Sequence, residues 1–242
     1  MARTLIALIS GSSRGLGLET ARQLAARGYR VVLTGRDGLA GKAAADKLTG
    51  EGHDVVHHPL DVDHDHSVRR LAAFIADDPR LGHLDVLVNN AGIFPERDPQ
   101  TGTGPAALET PLKTVRQTWE TNCLGALRLT QAVVPLMRRH GYGRIVNISS
   151  GYGQLDGMGG GFVGYRLSKA GINVLTRVLA AELQPEGILV NAIDPGWLPT
   201  RMGGPKATGS TAAAAADVVW AATLRGDSPT GRLFHDRRPM PW

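Results

Sequence analysis

The chain has one cysteine, Cys123, among 242 residues, which excludes an intrachain disulfide framework and fits a reducing compartment. No apolar stretch is long enough to span a bilayer, and the apolar run in the opening MARTLIALIS is too short for a secretory signal. Charge of one sign is nowhere concentrated. The formal net charge is +5, but basic residues run from Arg3 to Arg238 with acids between them, so no nucleic-acid-binding face is implied. The densest basic run, HDRRP at 235–239, reads as solvated charge near a terminus. Internal repeats are missing too, and TAAAAAD at 211–217 reads as helix rather than low complexity. The expectation is a soluble, cytoplasmic protein with no nucleic acid and no membrane among its partners.

What is present is an ordinary globular composition, 42% hydrophobic and 20% charged residues, over a length that α/β folds reach as one unit. Short apolar runs alternate with helical patterns. TLIALIS at 4–10 reads as a strand, and GLGLETARQLAARGY then sets Leu18, Ala21, Leu24 and Ala25 at helical spacing before Gly28. RVVLTGR, DVVHHPLDV, LDVLVNNAG, GRIVNISS and GILVNAIDPG follow as strands. Between them lie helices at 39–49 and 66–77, one long helix at 114–141 carrying Pro135, and YRLSKAGINVLTRVLAAEL. SPTGRLFHDRRPMPW adds a seventh short strand and a tail. The alternation predicts an α/β fold, a Rossmann-type doubly wound parallel sheet of about seven strands flanked by helices, as a single domain over residues 1–242.

SGSSRGLG at 10–17 links the first strand to the first helix, so Gly11, Gly15 and Gly17 stand where a pyrophosphate approaches amides at a helix N-terminus. A Cβ there would hold the phosphate off or forbid the turn. A plain structural turn also uses glycine, but the strand before and helix after favour the nucleotide. Cofactor choice is read where the second strand ends, because an NAD enzyme carries a carboxylate there for the ribose hydroxyls. Here the strand ends at Gly35 and Arg36, with Arg14 inside the glycine turn, two guanidiniums suited to a 2′-phosphate. NADP(H) is expected over NAD(H). The alternatives are Asp37 rotated onto the ribose, or Arg36 merely paired with Asp37.

Six motifs then fall in the order of one family. SGSSRGLG, NNAG at 89–92, TNCLGAL with Asn122, ISSGYG with Ser150, YRLSK with Tyr165 and Lys169, and IDPGWLPT at 193–200 together resemble the classical short-chain dehydrogenase/reductase family, carbonyl-reductase-like branch, across essentially the whole chain. The resemblance implies a catalytic set of Asn122, Ser150, Tyr165 and Lys169. It implies cofactor contacts from Gly11, Ser13, Arg14, Gly15, Leu16, Arg36, Asp61, Val62, Asn90, Tyr165, Lys169, Leu198 and Thr200. It also implies NAD(P) and a small-molecule carbonyl or alcohol substrate. The chain departs from the family pattern at Ser10, more usually Thr, at Asp194, more often small or uncharged, and in a longer spacing from Ser150 to Tyr165. It lacks the large insertion of the monomeric carbonyl reductases. The apolar stripes at 126–141 and 172–183 read as core or as partner surface; in the resembled family the equivalent helices often pack against copies of themselves, so a homodimer or homotetramer is expected.

Tyr165 and Lys169, four apart, share one helical face. An unperturbed phenol, with a pKa of about 10, exchanges protons poorly near neutrality, and lowering it by about three units takes roughly 4 kcal/mol. The ammonium of Lys169 and the positive ring of oxidised nicotinamide are expected to supply that. In reduction, Tyr165 is expected to protonate the carbonyl oxygen and Ser150 to hydrogen-bond it. Lys169 is expected to hold the nicotinamide ribose, and Asn122 to position a water that returns protons to Lys169. Taken singly these are a snorkelling pair, a turn serine and a helix-interior asparagine; together, behind a nucleotide turn, they are a catalytic set. The expected function is NADPH-dependent reduction of a ketone or aldehyde. The alternatives are a secondary-alcohol dehydrogenase working oxidatively and a catalytically idle NADP-binding sensor.

Five of the eight histidines fall at 53–66, yet strand alternation sends His57 and His58 to opposite faces, so no metal site is expected. The loops at 94–111 and 197–215 are expected to form the substrate pocket, with Phe94, Trp197 and Met202 as apolar surface. GYGQLDGMGGGFVG at 151–164 holds seven glycines. It lies between a strand and the Tyr165 helix, so it reads as a wall of the site rather than a linker, either ordered or mobile until a ligand binds.

Overall fold

The computed structural model describes residues 3–98 and 100–242; Met1, Ala2 and Pro99, the last inside the 94–111 loop, lie outside the described residues. Strands β1 (Ile6–Ile9), β2 (Arg30–Gly35), β3 (Val55–Pro59), β4 (Val86–Asn89), β5 (Gly143–Ile148), β6 (Ile188–Ile193), β7 (Leu233–His235) and β8 (Arg238–Met240) build one sheet. Its order is β3-β2-β1-β4-β5-β6-β7-β8. All pairs are parallel except β7 with β8. Helices α1 (Gly15–Ala25), α2 (Gly38–Gly50), α3 (Asp65–Asp77), α4 (Leu112–Trp119), α5 (Gly125–Arg138), α6 (Val163–Leu183) and α7 (Thr211–Ala222) accompany the sheet.

Helices cover both faces, which is why the strands read as unbroken apolar runs. Neighbouring β1 side chains point opposite ways. Ala7 and Ile9 join Leu24 of α1, Leu48 of α2 and Val218 of α7 in one core. Ile6 and Leu8 join Leu71 of α3, Leu129 of α5 and Leu179 of α6 in the other. Each such Leu or Ile contributes roughly 2 kcal/mol on full burial, so the layers rather than the loops fix where the strand ends stand. The chain order reverses between β1 and β4, and the crevice outside their carboxyl ends is where ligands bind in such sheets.

A buried polar ladder ties that crevice to α6. Asn89 Nδ2 donates to Asn147 Oδ1 (2.8 Å) and Thr130 Oγ1 (3.1 Å), and Asn147 Nδ2 donates to Thr176 Oγ1 (2.9 Å). Ser149 Oγ donates to Asn173 Oδ1 at 2.6 Å, and Asn173 Nδ2 to the Gly153 carbonyl at 3.1 Å. A buried amide left unmatched costs about 1–3 kcal/mol, so the ladder allows α6 only one seating against β4 and β5.

Two features differ from the sequence reading, and a third decides what it left open between core and partner surface. The helix expected at 114–141 is split by a π-turn, Glu120–Leu124, whose middle residue is Asn122. Pro135 instead stays inside α5, on the exposed side where water can reach the carbonyl its missing N–H leaves free. The tail is a strand: Asp236 and Arg237 take φ of 49° and 61°, a left-handed pair that turns β7 into β8. The usual signal for this turn is Asn-Gly or Asp-Gly, which Asp-Arg hides. Finally, the apolar stripe of α5, with Leu129, Val133 and Met137, is fully buried, whereas Leu167, Val174 and Val178 of α6 remain exposed.

Candidate active site

The glycine turn is locked to the end of β4. Ser10 Oγ accepts the N–H groups of Asn90 (3.0 Å) and Ala91 (2.9 Å), while Asn90 Nδ2 donates to the carbonyls of Ser10 (2.8 Å) and Gly11 (2.9 Å). Serine thus performs the hydroxyl's task at a position where the family more usually has threonine. A Cβ on Gly17 would stand 2.6 Å from Asn90 Nδ2 and 2.7 Å from the Gly11 carbonyl, so α1 begins closer to the turn than any side chain permits. Ser12 Oγ is spent inward, on the Ile9 carbonyl and the Thr34 N–H. Ser13, Arg14, Gly15 and Leu16 are left on the wall of the cleft. Thr200 closes over them, its Cγ2 3.4 Å from where a Gly15 Cβ would be, with Leu198 buried beside it.

At the end of β2, Asp37 is occupied. Its Oδ1 accepts the Ala40 N–H at 3.0 Å and caps α2, a role that competes with holding a ribose. Arg14 and Arg36 are exposed on the same wall. Among the described residues, neither pairs with a carboxylate. Asp61 and Val62 line the adjoining wall, and Asp61 Oδ1 accepts the Asp63 N–H at 3.1 Å. The nearby histidines are packing residues: His57 Nε2 would lie 2.0 Å from a Cβ on Gly41, and His58 stacks on Phe74 at 4.9 Å. No group able to hold a metal occurs among the described residues.

The other end of the cleft belongs to α6. Tyr165 and Lys169 are buried, and Lys169 Nζ donates to the Ile148 carbonyl at 2.7 Å, 5.5 Å from the Tyr165 ring centre. Ser150, just past β5, accepts the Tyr152 N–H at 3.2 Å and lines the cleft with Tyr165. Burial pushes the Tyr165 phenol far above its usual value and the Asp194 charge adds to this, while the nearby Ser150 hydroxyl opposes it. Burial likewise pushes Lys169 down to about 8, against the pull of Asp194. The sequence reading expected a lowered phenol from Lys169 and the cofactor's positive ring together. The protein's own groups do the reverse, because desolvation outweighs a lysine that is itself turned to a carbonyl.

The cleft holding both ends measures ≈ 1630 Å³ and is lined by every expected site residue except Asn122. Asn122, 2% exposed, lies behind the wall. Its Oδ1 accepts the Ile93 N–H (2.7 Å), and its Nδ2 donates to the Ile93 carbonyl (2.9 Å) and Ser168 Oγ (3.0 Å). Its side chain therefore clamps the β4 loop to α6.

Residues 5–210 match the short chain dehydrogenase family. The chain belongs to that family. Carbonyl reductase [NADPH] 1 of Bos taurus is 32% identical, the match covering 98% of each chain; the Homo sapiens protein of that name is 33% identical over the same shares. The alignment to the bovine protein runs over 284 positions, more than the 242 residues here, so that relative carries insertions this dehydrogenase lacks. Among solved structures, NADPH-bound carbonyl reductase from chicken fatty liver superposes with a TM-score of 0.86 at 27% identity, covering 100% of both chains. Salutaridine reductase from Papaver somniferum gives 0.80 at 27%, covering 96% of this chain and 99% of that one.

How the walls around Tyr165 of this dehydrogenase are braced was not legible in sequence. Glu96, buried, turns its carboxylate to the start of α6: Oε1 accepts the Gly164 N–H (3.0 Å) and Oε2 the Tyr165 N–H (2.7 Å). A carboxylate suits this place, where helix amides lack partners and the helix dipole is positive. No local pattern signals it, since its partners lie 68 and 69 positions on. Phe94 stacks on the Tyr165 ring at 3.8 Å, 10° from parallel, and Tyr152 and Phe162 close the aromatic box. The glycine stretch is tied at both ends. A Cβ on Gly153 would meet the Lys169 carbonyl at 2.8 Å, and Arg166 donates to the carbonyls of Gly161 (2.9 Å) and Gly160 (3.2 Å). Between them, Gln154 Nε2 donates to the Pro241 carbonyl (2.8 Å) and the Leu155 N–H to that of Trp242 (3.3 Å). Pro241 and Trp242 thus brace the middle of a loop whose own bonds are short-range turns.

Proposed function

We propose that this dehydrogenase reduces a ketone or aldehyde to an alcohol with NADPH. The observation that carries this reading is one cleft with two guanidiniums free of carboxylate partners at one end and buried Tyr165, Ser150 and Lys169 at the other. The glycine turn fits a dinucleotide, since a Cβ on Gly17 would fill the close approach. In this reading Ser13, Arg14, Gly15 and Leu16 hold the phosphates, Arg14 and Arg36 the 2′-phosphate, and Asp61, Val62 and Asn90 the adenosine side and the central bridge. Leu198, Thr200 and Lys169 hold the nicotinamide half. When bound, that half supplies the hydride.

The raised phenol keeps Tyr165 protonated through neutrality, which suits a proton donor in the reductive direction. Ser150 and Tyr165 both hydrogen-bond the carbonyl oxygen as it gains charge, and Tyr165 then transfers its proton to the alkoxide. Lys169, with its depressed ammonium near neutrality, is suited to re-supply that proton. Asn122 contributes by fixing Ile93 and Ser168. The loops at 94–111 and 197–215 form the substrate pocket, and the exposed Leu167, Val174 and Val178 of α6 meet a second copy of the chain. Light scattering on the purified protein tests that last point, a clean monomer refuting it.

Turnover of a ketone and aldehyde panel with NADPH and with NADH tests the main reading. Reduction that prefers NADPH supports it. Activity confined to alcohol oxidation favours the dehydrogenase alternative, and NADPH binding without turnover in either direction favours the idle sensor. The intact Ser150, Tyr165 and Lys169 set argues against that last case, because a sensor needs the turn but no proton donor.

A further inference from the structure

Among the described residues, Arg97 has no carboxylate partner. The residue is half-buried on the cleft wall, and its Nε is inaccessible and makes no hydrogen bond. The other cations near Tyr165 are engaged: Lys169 with the Ile148 carbonyl, and Arg166 with the Gly160 and Gly161 carbonyls and the Tyr152 ring at 4.6 Å. The Arg97 guanidinium lies over the Trp197 ring, 5.0 Å from guanidinium carbon to ring centre, and that ring is held by its own bond from Nε1 to the Gly203 carbonyl. Gly102 flanks the guanidinium, so close that a Cβ there would lie 3.0 Å from Nη2. The charge is near the chemistry, since it favours the ionised form of Tyr165.

A half-desolvated guanidinium facing a cleft, without an acid of the protein beside it, is an anion-binding group in need of an anion. We propose that the substrate is a carbonyl compound bearing a carboxylate on an apolar or aromatic body, with Arg97 as the residue that reads the carboxylate. The inference rests on the reductase reading of the same cleft. Orientation follows from Asp194, whose Oδ1 accepts the Gly196 N–H at 3.0 Å and whose charge acts on both Tyr165 and Lys169. An anion brought to that base would be repelled, so the carbonyl end enters toward Ser150 and Tyr165 and the carboxylate points outward, to Arg97. Phe94, Tyr152 and Trp197 supply flat surface along the way.

The test uses a length series of aldehyde acids, from 3-formylbenzoate to 4-(4-formylphenyl)butyrate, each beside its methyl ester, with NADPH. For at least one length, Arg97→Gln is expected to lower kcat/KM for the acid about tenfold or more beyond any loss for the ester, with Arg97→Lys between. In the wild type, added salt raises KM for the acid and not for the ester. Equal losses for acid and ester across the series, as for a mere latch on Trp197, overturn the proposal. Calorimetric titration of the NADP-loaded protein with the corresponding saturated acids, which lack the aldehyde, is independent of turnover: binding at least tenfold weaker in Arg97→Gln supports the site, and equal binding or none overturns it. If no aldehyde is reduced yet the titration shows the difference, the reductase reading fails and the anion site stands.

Discussion

The nucleotide end of the cleft is held by short polar side chains bonding main chain close at hand, Ser10 and Asn90 across two adjacent strands and Asp37 within its own helix. The substrate end is held by groups of the longer loops, the π-turn and the tail, Glu96 on the start of α6, Asn122 on Ile93, and the carbonyls of Pro241 and Trp242 on the glycine stretch. The first kind of construction leaves a compact motif and repeats wherever a dinucleotide must be held. The second depends on loops whose lengths and contacts are particular to one chain, which suits a region that sets substrate choice.

The two ends should therefore fail separately. Tyr165→Phe is expected to cut turnover by roughly 10²–10⁴-fold while NADPH still binds within a few-fold, measured by cofactor fluorescence titration; full turnover in the variant would falsify the proton-donor assignment. Arg36→Glu is expected to raise KM for NADPH by about 10–100-fold and to leave KM for NADH within a few-fold; an equal rise for both cofactors would mean that Arg36 does not read the 2′-phosphate. A large fall in kcat from the same substitution would break the comparison itself, by coupling the ends.

Stability against pH probes the substrate end alone. Lys169 is pushed from 10.5 down to about 8, so as pH rises from 8 the native state sheds this proton while the unfolded state keeps it. The Lys169 contribution to stability then rises with pH, by about 2 kcal/mol between pH 7 and 10. Buried Cys123, pushed up from 9.0 to about 11, acts in the opposite sense from about pH 9, and the raised Tyr165 above pH 10, because the unfolded thiol and phenol ionise first. Urea denaturation at a series of pH values should show the rise in wild type and a flatter profile in Lys169→Met; identical slopes would remove Lys169 as the cause.

Glu96→Ala carries the smallest expected effect, about tenfold in kcat with the NADPH dissociation constant unchanged, from losing two charge-assisted bonds at the helix start. Glu96→Gln, which keeps one acceptor oxygen, should lose less. A loss of thermal stability with kcat intact would make Glu96 a plain structural residue.

Much of the fold follows from chain-local physics. Apolar runs buried on two faces, glycine at the turn and helical periodicity between them were enough to order the parallel strands and to find the turn around Gly17 and the Tyr165–Lys169 pair. Legibility stopped where a contact has no local signature. The π-turn at Asn122 hides inside a continuous helical pattern, because it changes the hydrogen-bond register and not the residue preferences. The β7–β8 hairpin hides because Asp236 and Arg237 occupy left-handed positions that glycine or asparagine normally marks.

The sequence by itself determined the sheet, the glycine turn and the placing of Tyr165 and Lys169 on one helical face, since each depends on neighbours within a few positions or on simple alternation. Only the tertiary structure decided that burial drives Tyr165 up and Lys169 down, that Glu96 braces the helix of Tyr165, and that Arg97 faces the cleft without an acid. Those outcomes turn on which groups from distant strands and loops are dried out together, and desolvation is a property of the assembled site that no stretch of chain carries alone.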